Sequence, residues 1–147
     1  MFIVISYELM EHSGAETFDL KKMIADYMEG GLLDNIIDMF KHDESLYVYI
    51  AALLTDERMR VRLGATILVE SLAEQCPQNI PKVIPLILPL LKDQNPVTRG
   101  DAAYLLGNIG NEYVVRYLEE IADDEDTNVR TIAREAIEDI RSASKSI

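Results

Sequence analysis

The chain has 147 residues, 48% hydrophobic and 27% charged, proportions of an ordinary globular domain that exclude a disordered tail or a collagen-like fibre. Its 26 acidic and 14 basic residues leave a formal charge of −12, which opposes binding to a phosphate backbone and makes nucleic acid an unfavourable partner. The single cysteine, Cys76, cannot close an internal disulfide, as expected in a reducing compartment.

Residues 1–15 form an N-terminal segment whose state the sequence leaves open, because Phe2, Ile3, Val4 and Ile5 favour extended structure. The segment lacks the pattern of an export signal, since it has no basic start and Glu8 and Glu11 interrupt its apolar run. The longest apolar stretch, 80–91, is broken by Lys82, Pro81, Pro85 and Pro89. It is too short to span a bilayer, so the expectation is a cytoplasmic protein without membrane contact.

From residue 16 to 141 apolar residues recur mainly at spacings of three and four, which predicts a single all-α domain. Ser13 with Glu16 has the form of a capping box and opens a helix that runs to Gly30-Gly31. A second helix places Leu32, Leu33, Ile36, Ile37 and Phe40 on one stripe, and Asp43 or Ser45 can cap a third that reaches Leu54. A long helix over 57–74 is stopped by Pro77, and another covers 80–91. Asn95 caps a helix with Pro96 at its first position, ended by Gly110-Asn111. A helix over 114–122 follows, then the acidic loop 123–126, then a last helix to Arg141, with a tail at 142–147 expected to fray.

Three of these helices open on the same string. Asp56, Arg62 and Ala65 recur as Asp93, Arg99 and Ala102, and again as Asp124, Arg130 and Ala133. The arginines lie 37 and 31 residues apart, a period that marks stacked supersecondary units. The D-x5-R-x2-A string resembles that of HEAT repeats, in particular the short units of the phycobilin-lyase-like branch, over about residues 32–141. The resemblance implies a right-handed α-solenoid in which outer A helices alternate with inner B helices, with A helices starting near Glu57, Asn95 and Asn128. The B helices are then 45–54, 80–91 and 112–122. The helix of Leu32 to Phe40 is read as an A helix because that keeps the alternation, and a B assignment stays open.

The repeated residues have structural roles. Ala65, Ala102 and Ala133 let helices approach closely, and Asp56, Asp93 and Asp124 can accept amides at the starts of the A helices. Arg62, Arg99 and Arg130 can each reach the Asp of an adjacent unit and form a ladder along the array. Read instead as a phosphate-binding stripe, the arginines would sit in an acidic surface that repels the ligand. Asp124, Asp126, Asn128 and Glu135 match four positions of a calcium-binding loop, but Val129 stands where that loop needs glycine, so no metal site is expected.

No cofactor or catalytic constellation is predicted. His12 and His42 lack partners at metal-ligand spacing, and neither is followed by Glu. There is no phosphate-binding glycine loop and no nucleophile elbow. Cys76, beside Pro77, reads as a small apolar filler.

The B helices point to binding. Aligned on the following Asp, the positions three, six and ten before it are Leu53, Ile50 and Leu46, then Leu90, Ile87 and Val83, then Ile121, Leu118 and Val114, a buried stripe. The positions four, five and eight before it should line the concave surface. They are Glu120, Glu119 and Arg116 in the third unit, but Pro89, Leu88 and Pro85 in the second and Ala52, Ala51 and Val48 in the first. Contiguous apolar surface on a soluble chain marks a binding site. The three prolines share one face, and the carbonyls they leave unpaired favour an outward ridge.

Residues 1–55 carry net charge −7, residues 56–93 none and residues 94–147 −5, so acidic ends flank the apolar centre. The expected function is a non-catalytic protein-binding scaffold. Its partner would carry a basic or mixed-charge segment and dock at Val48, Ala52, Pro85, Leu88 and Pro89, with Arg116, Glu119 and Glu120 on the same face. The lyase-like resemblance implies a rival role as an accessory factor in the maturation of an enzyme or chromoprotein. The chain is expected to be a monomer or a weak homodimer joined through an end of the solenoid, where Ala133, Ala136, Ile137 and Ile140 have one neighbouring repeat.

Overall fold

A computed structural model describes residues 19–145. Among them are eight α-helices and no strand. The expected capping box at Ser13 and Glu16 lies outside the described residues. The first described helix, α1 (Leu20–Glu29), is capped by Asp19, whose side chain accepts the Lys22 amide. It ends at Gly30-Gly31, where Gly31 takes a φ of 89° that a side chain would resist. Helix α2 (Leu33–His42) follows, and both pack on α4 (Met59–Gln75). Because α2 precedes a B segment and stacks on an A helix, it occupies the A position.

Between them the first B segment starts as a 3-10 turn, Glu44–Tyr49, before α3 (Ile50–Leu54). Asp43 caps it by accepting the Ser45 amide at 3.0 Å. The second B segment is broken further. A 3-10 turn at Pro77–Asn79 leads into α5 (Ile80–Ile87), which gives way to a 3-10 turn at Leu88–Lys92. Pro89 has no amide to donate to the Pro85 carbonyl, so the α-helical pattern stops there. Pro81, Pro85 and Pro89 are all exposed, on the outward side.

Helices α6 (Pro96–Ile109), α7 (Glu112–Glu120) and α8 (Thr127–Lys145) complete the array. Asn95 accepts the Val97 amide at 2.9 Å, as its capping role requires. Helix α8 continues to Lys145, beyond the expected fray point at Ser142. Ser144 there bonds back to the Ile140 carbonyl.

Helices α4, α6 and α8 form one layer and the B segments the other. The register shows that the A helices are parallel. The charge of Arg62 acts on the Asp101 carboxyl, and Asn108 donates to Glu70 at 3.0 Å, so residue numbers rise together along α4 and α6. Gly100 likewise lies against Ile132, and Gly107 against Ala136. A Cβ on Gly107 would stand 2.8 Å from the Ala136 Cα, which makes α6–α8 a close helix contact.

The core runs the length of the array, from Ile24 and Phe40 through Leu68, Leu72 and Ile87 to Leu105, Leu118 and Ile140. Of the predicted B stripe, Leu90 is half-buried and the rest are buried. Ala133, Ala136, Ile137 and Ile140 are all covered within the chain, while Thr131, Arg134, Glu135, Glu138 and Asp139 face solvent. This end therefore offers a second subunit a polar face rather than an apolar one. No described helix is long and apolar enough to cross a membrane.

Candidate functional site

The three repeated arginines share one local fold. The Nη1 of Arg62 donates to the carbonyls of Asp56 and Glu57, that of Arg99 to Asp93 and Gln94, and that of Arg130 to Asp124 and Glu125. Each guanidinium thus hooks the loop that enters its own helix. The aspartates fold the same loop. Asp56, Asp93 and Asp124 accept the amides of Arg58, Asn95 and Asp126, each two residues on and each at 2.9 Å. Their role is an Asx turn before the helix rather than a cap on its first turn.

The expected ladder closes at one rung. Arg99 sends Nε and Nη2 to the two carboxylate oxygens of Asp124, both at 2.9 Å, and both side chains are 10% exposed. The paired guanidinium holds the Asp124 carboxyl below its ordinary range. Arg62 makes no such bond to Asp93. Asp56 is taken instead by Arg58, which also reaches Asp26 on α1 at 2.8 Å. Arg99 thus spends its donors on two carbonyls and Asp124, and Arg130 adds a bond from Nη2 to the Thr127 hydroxyl at 2.9 Å. Asp124 and Asp126 are likewise engaged, Asp126 by the Val129 amide.

The predicted concave residues separate into two groups. Val48 (67% exposed), Pro85 and Pro89 stand open to solvent. Leu88 and Ala52 are half-buried, Leu88 against the core. The expectation of a solvent-facing Leu88 is corrected here, because the 3-10 turn that carries it lies down on α6. Lys82–Glu44 and Lys92–Glu120 pairs bridge successive B segments at 2.7 and 3.9 Å.

In the third unit Arg116, Glu119 and Glu120 are exposed as expected. Arg116 is also engaged, with its guanidinium carbon 4.8 Å from the Tyr117 ring centre and 5.5 Å from that of Tyr113. Its Nη2 donates to the Tyr117 hydroxyl at 2.9 Å. The hydrogen bonds from Tyr113 and Arg116 lower the Tyr117 pKa. Tyr113 is 58% exposed. Sequence reasoning missed this cluster, although tyrosines four apart flanking an arginine on a helix are a readable sign of it. Seven positions before each aspartate stand Tyr49, Leu86 and Tyr117, all half-buried. That one position is therefore apolar or aromatic in all three units, while Arg116, Glu119 and Glu120 keep the third unit's face charged.

An open depression of about 610 Å³ lies between the second and third units, lined by Leu91, Lys92, Arg99, Ile121, Asp124 and Glu125. Cys76 is buried and not in it.

The family model for HEAT repeats matches residues 48–138. The chain belongs to the HEAT repeat family. The match spans the three units that share the Asp–Arg–Ala string, and this HEAT array is an all-α solenoid. No curated protein matches the sequence.

Proposed function

We propose that this HEAT protein is a non-catalytic scaffold that holds another protein along the face of its B segments. The observation that carries the reading is the exposure of Val48, Pro85, Pro89 and Tyr113 on successive units of that face. Around them Glu44, Glu112, Glu119 and Glu120 are exposed, which supports a partner with a basic or mixed-charge segment. Tyr113 and Arg116 belong to the residue types that anchor interfaces. An accessory role in maturing an enzyme or chromoprotein is one form of the same activity, since such a factor also works by holding a protein.

The test uses synthetic amphipathic peptides with either basic or acidic flanks, and the variants Val48→Glu and Tyr113→Glu. Both sites are exposed, so melting should stay unchanged. Binding should favour the basic peptides, fall with salt and weaken in both variants. Equal or stronger binding of acidic peptides would overturn the partner chemistry, and unaffected binding by both variants would overturn the surface. Leu88→Glu is unsuited to this test, because the half-buried site confounds binding with stability.

A further inference from the structure

The opposite face carries a second apolar surface. Met59, Leu63 and Ile67 are 66%, 58% and 47% exposed. They recur every four residues along the outer side of α4, over about 12 Å of helix. Val97 and Tyr104 on α6 are 55% and 51% exposed. The α4–α6 register set by Arg62–Asp101 and Asn108–Glu70 puts Val97 level with Met59, and Tyr104 level with Thr66. The five side chains therefore form one patch across two adjacent helices, and Asp101, half-buried, lies within its outline. It lies on the A-helix layer, away from the B-segment face.

The charges beside this stripe are arranged for a copy of itself. Arg60 is exposed and makes one hydrogen bond, to the Glu29 carbonyl at 3.3 Å. Glu70 accepts from Asn108 and, like Arg60, has no ion pair among the described residues. Arg60 and Glu70 stand equally far on either side of Ala65 along α4, and so do Leu63 and Ile67. If two α4 helices run antiparallel about a twofold axis at Ala65, Leu63 meets Ile67 of the second copy and Arg60 meets Glu70 of the second copy, each twice. Tyr104 lies close to the same axis. A twofold interface has to be self-complementary in this way.

We propose that the chain forms a twofold homodimer through this surface, with α4 antiparallel to α4 of the second copy. A chain of net charge −12 repels its own kind at long range, and here two opposite-charge contacts and an apolar stripe coincide.

Light scattering on the full chain across the micromolar range tests the proposal. The wild type should approach twice the monomer mass as concentration rises. Leu63→Glu should stay monomeric with an unchanged circular dichroism spectrum. Arg60→Glu and Glu70→Arg should each weaken dimerisation by about tenfold, because each sets like charges opposite one another twice. An equimolar mixture of these two variants restores opposite charges at both contacts, so it should dimerise where each alone does not. A wild type monomeric at every concentration, or a mixture that stays monomeric, overturns the proposal. So does a dimer lost on Val48→Glu but retained in Leu63→Glu, which places the interface on the other face. If only a variant lacking residues 1–18 dimerises, the chain's own N-terminal segment occupies the stripe, and the proposal falls.

Discussion

Two seams join helices α4, α6 and α8, and they are built differently from the same repeated string. Between α6 and α8, Gly100 and Gly107 admit Ile132 and Ala136, and Arg99 forks onto Asp124 across the seam. Between α4 and α6, the corresponding Arg62 hydrogen-bonds only within its own loop and acts on Asp101 by charge alone, and the crossing hydrogen bond is Asn108–Glu70. The Asp–Arg–Ala string therefore specifies a loop, not a rung. The rung forms where α6 and α8 come close enough for the Arg99 side chain, already fixed by two carbonyls, to reach the next aspartate.

That contrast can be broken by mutation, and the largest effect belongs to the closed rung. Arg99→Ala leaves the half-buried Asp124 carboxylate with only the Asp126 amide, at a cost of about 3 kcal/mol. Arg62→Ala removes two bonds to carbonyls and should cost about 1–2 kcal/mol; urea unfolding of the two variants measures the difference.

The glycines sharpen the point. Gly107→Ala drives a methyl into the backbone of Ala136 and should destabilise by about 1–3 kcal/mol. At Gly64 the added Cβ meets the flexible end of Met28 at 2.9 Å. Gly64→Ala should therefore be neutral or stabilising by up to about 1 kcal/mol through helix propensity. A further pair tests the layer assignment. Ala102→Leu overpacks a buried site by about 1–3 kcal/mol, whereas the half-buried Ala51 should tolerate leucine with a shift below about 0.5 kcal/mol.

The smallest effect is on acid stability. The native Asp124 pKa lies below its ordinary 3.8, chiefly through its hydrogen bonds to Arg99. A depressed carboxyl stabilises the fold above its unfolded pKa, and that contribution is lost as pH falls through the native value. Asp56 and Asp26, both lowered, act with the same sign. Stability should thus decline below about pH 4, and less steeply in Arg99→Ala because one of these groups no longer contributes. Urea midpoints between neutral and acid pH read this slope.

The array itself was legible because its signals are local and repeated: a string at a fixed period, caps such as Asn95 with Pro96, and apolar spacing along the B segments. What escaped depends on three-dimensional neighbours. The half-burial of Leu88 follows from how a 3-10 turn lies on α6, which no spacing rule contains. The single rung depends on how close α6 and α8 come, and Gly107 opposite Ala136 is a pairing of distant residues. The outer stripe was missed for another reason. In α4 and α6 apolar residues are spread around the helix among polar ones such as Arg60, Arg62 and Glu70, so periodicity does not say which of Met59, Leu63 or Leu68 faces solvent. The Tyr113–Arg116–Tyr117 cluster is readable from its spacing, two tyrosines four apart around an arginine.

The hook from each arginine to carbonyls five and six residues upstream also bears on the order of folding. Such a contact closes a short loop, so it forms without waiting for a neighbouring unit. Arg99 differs in its second arm, whose partner lies 25 residues away. Truncating Arg62 or Arg130 should therefore slow folding wherever its unit belongs to the nucleus, whereas Asp124→Asn should act mainly by speeding unfolding. The closed rung then works as a latch, fastened after the helices are in place, and it sets how long the assembled array lasts rather than how quickly it forms.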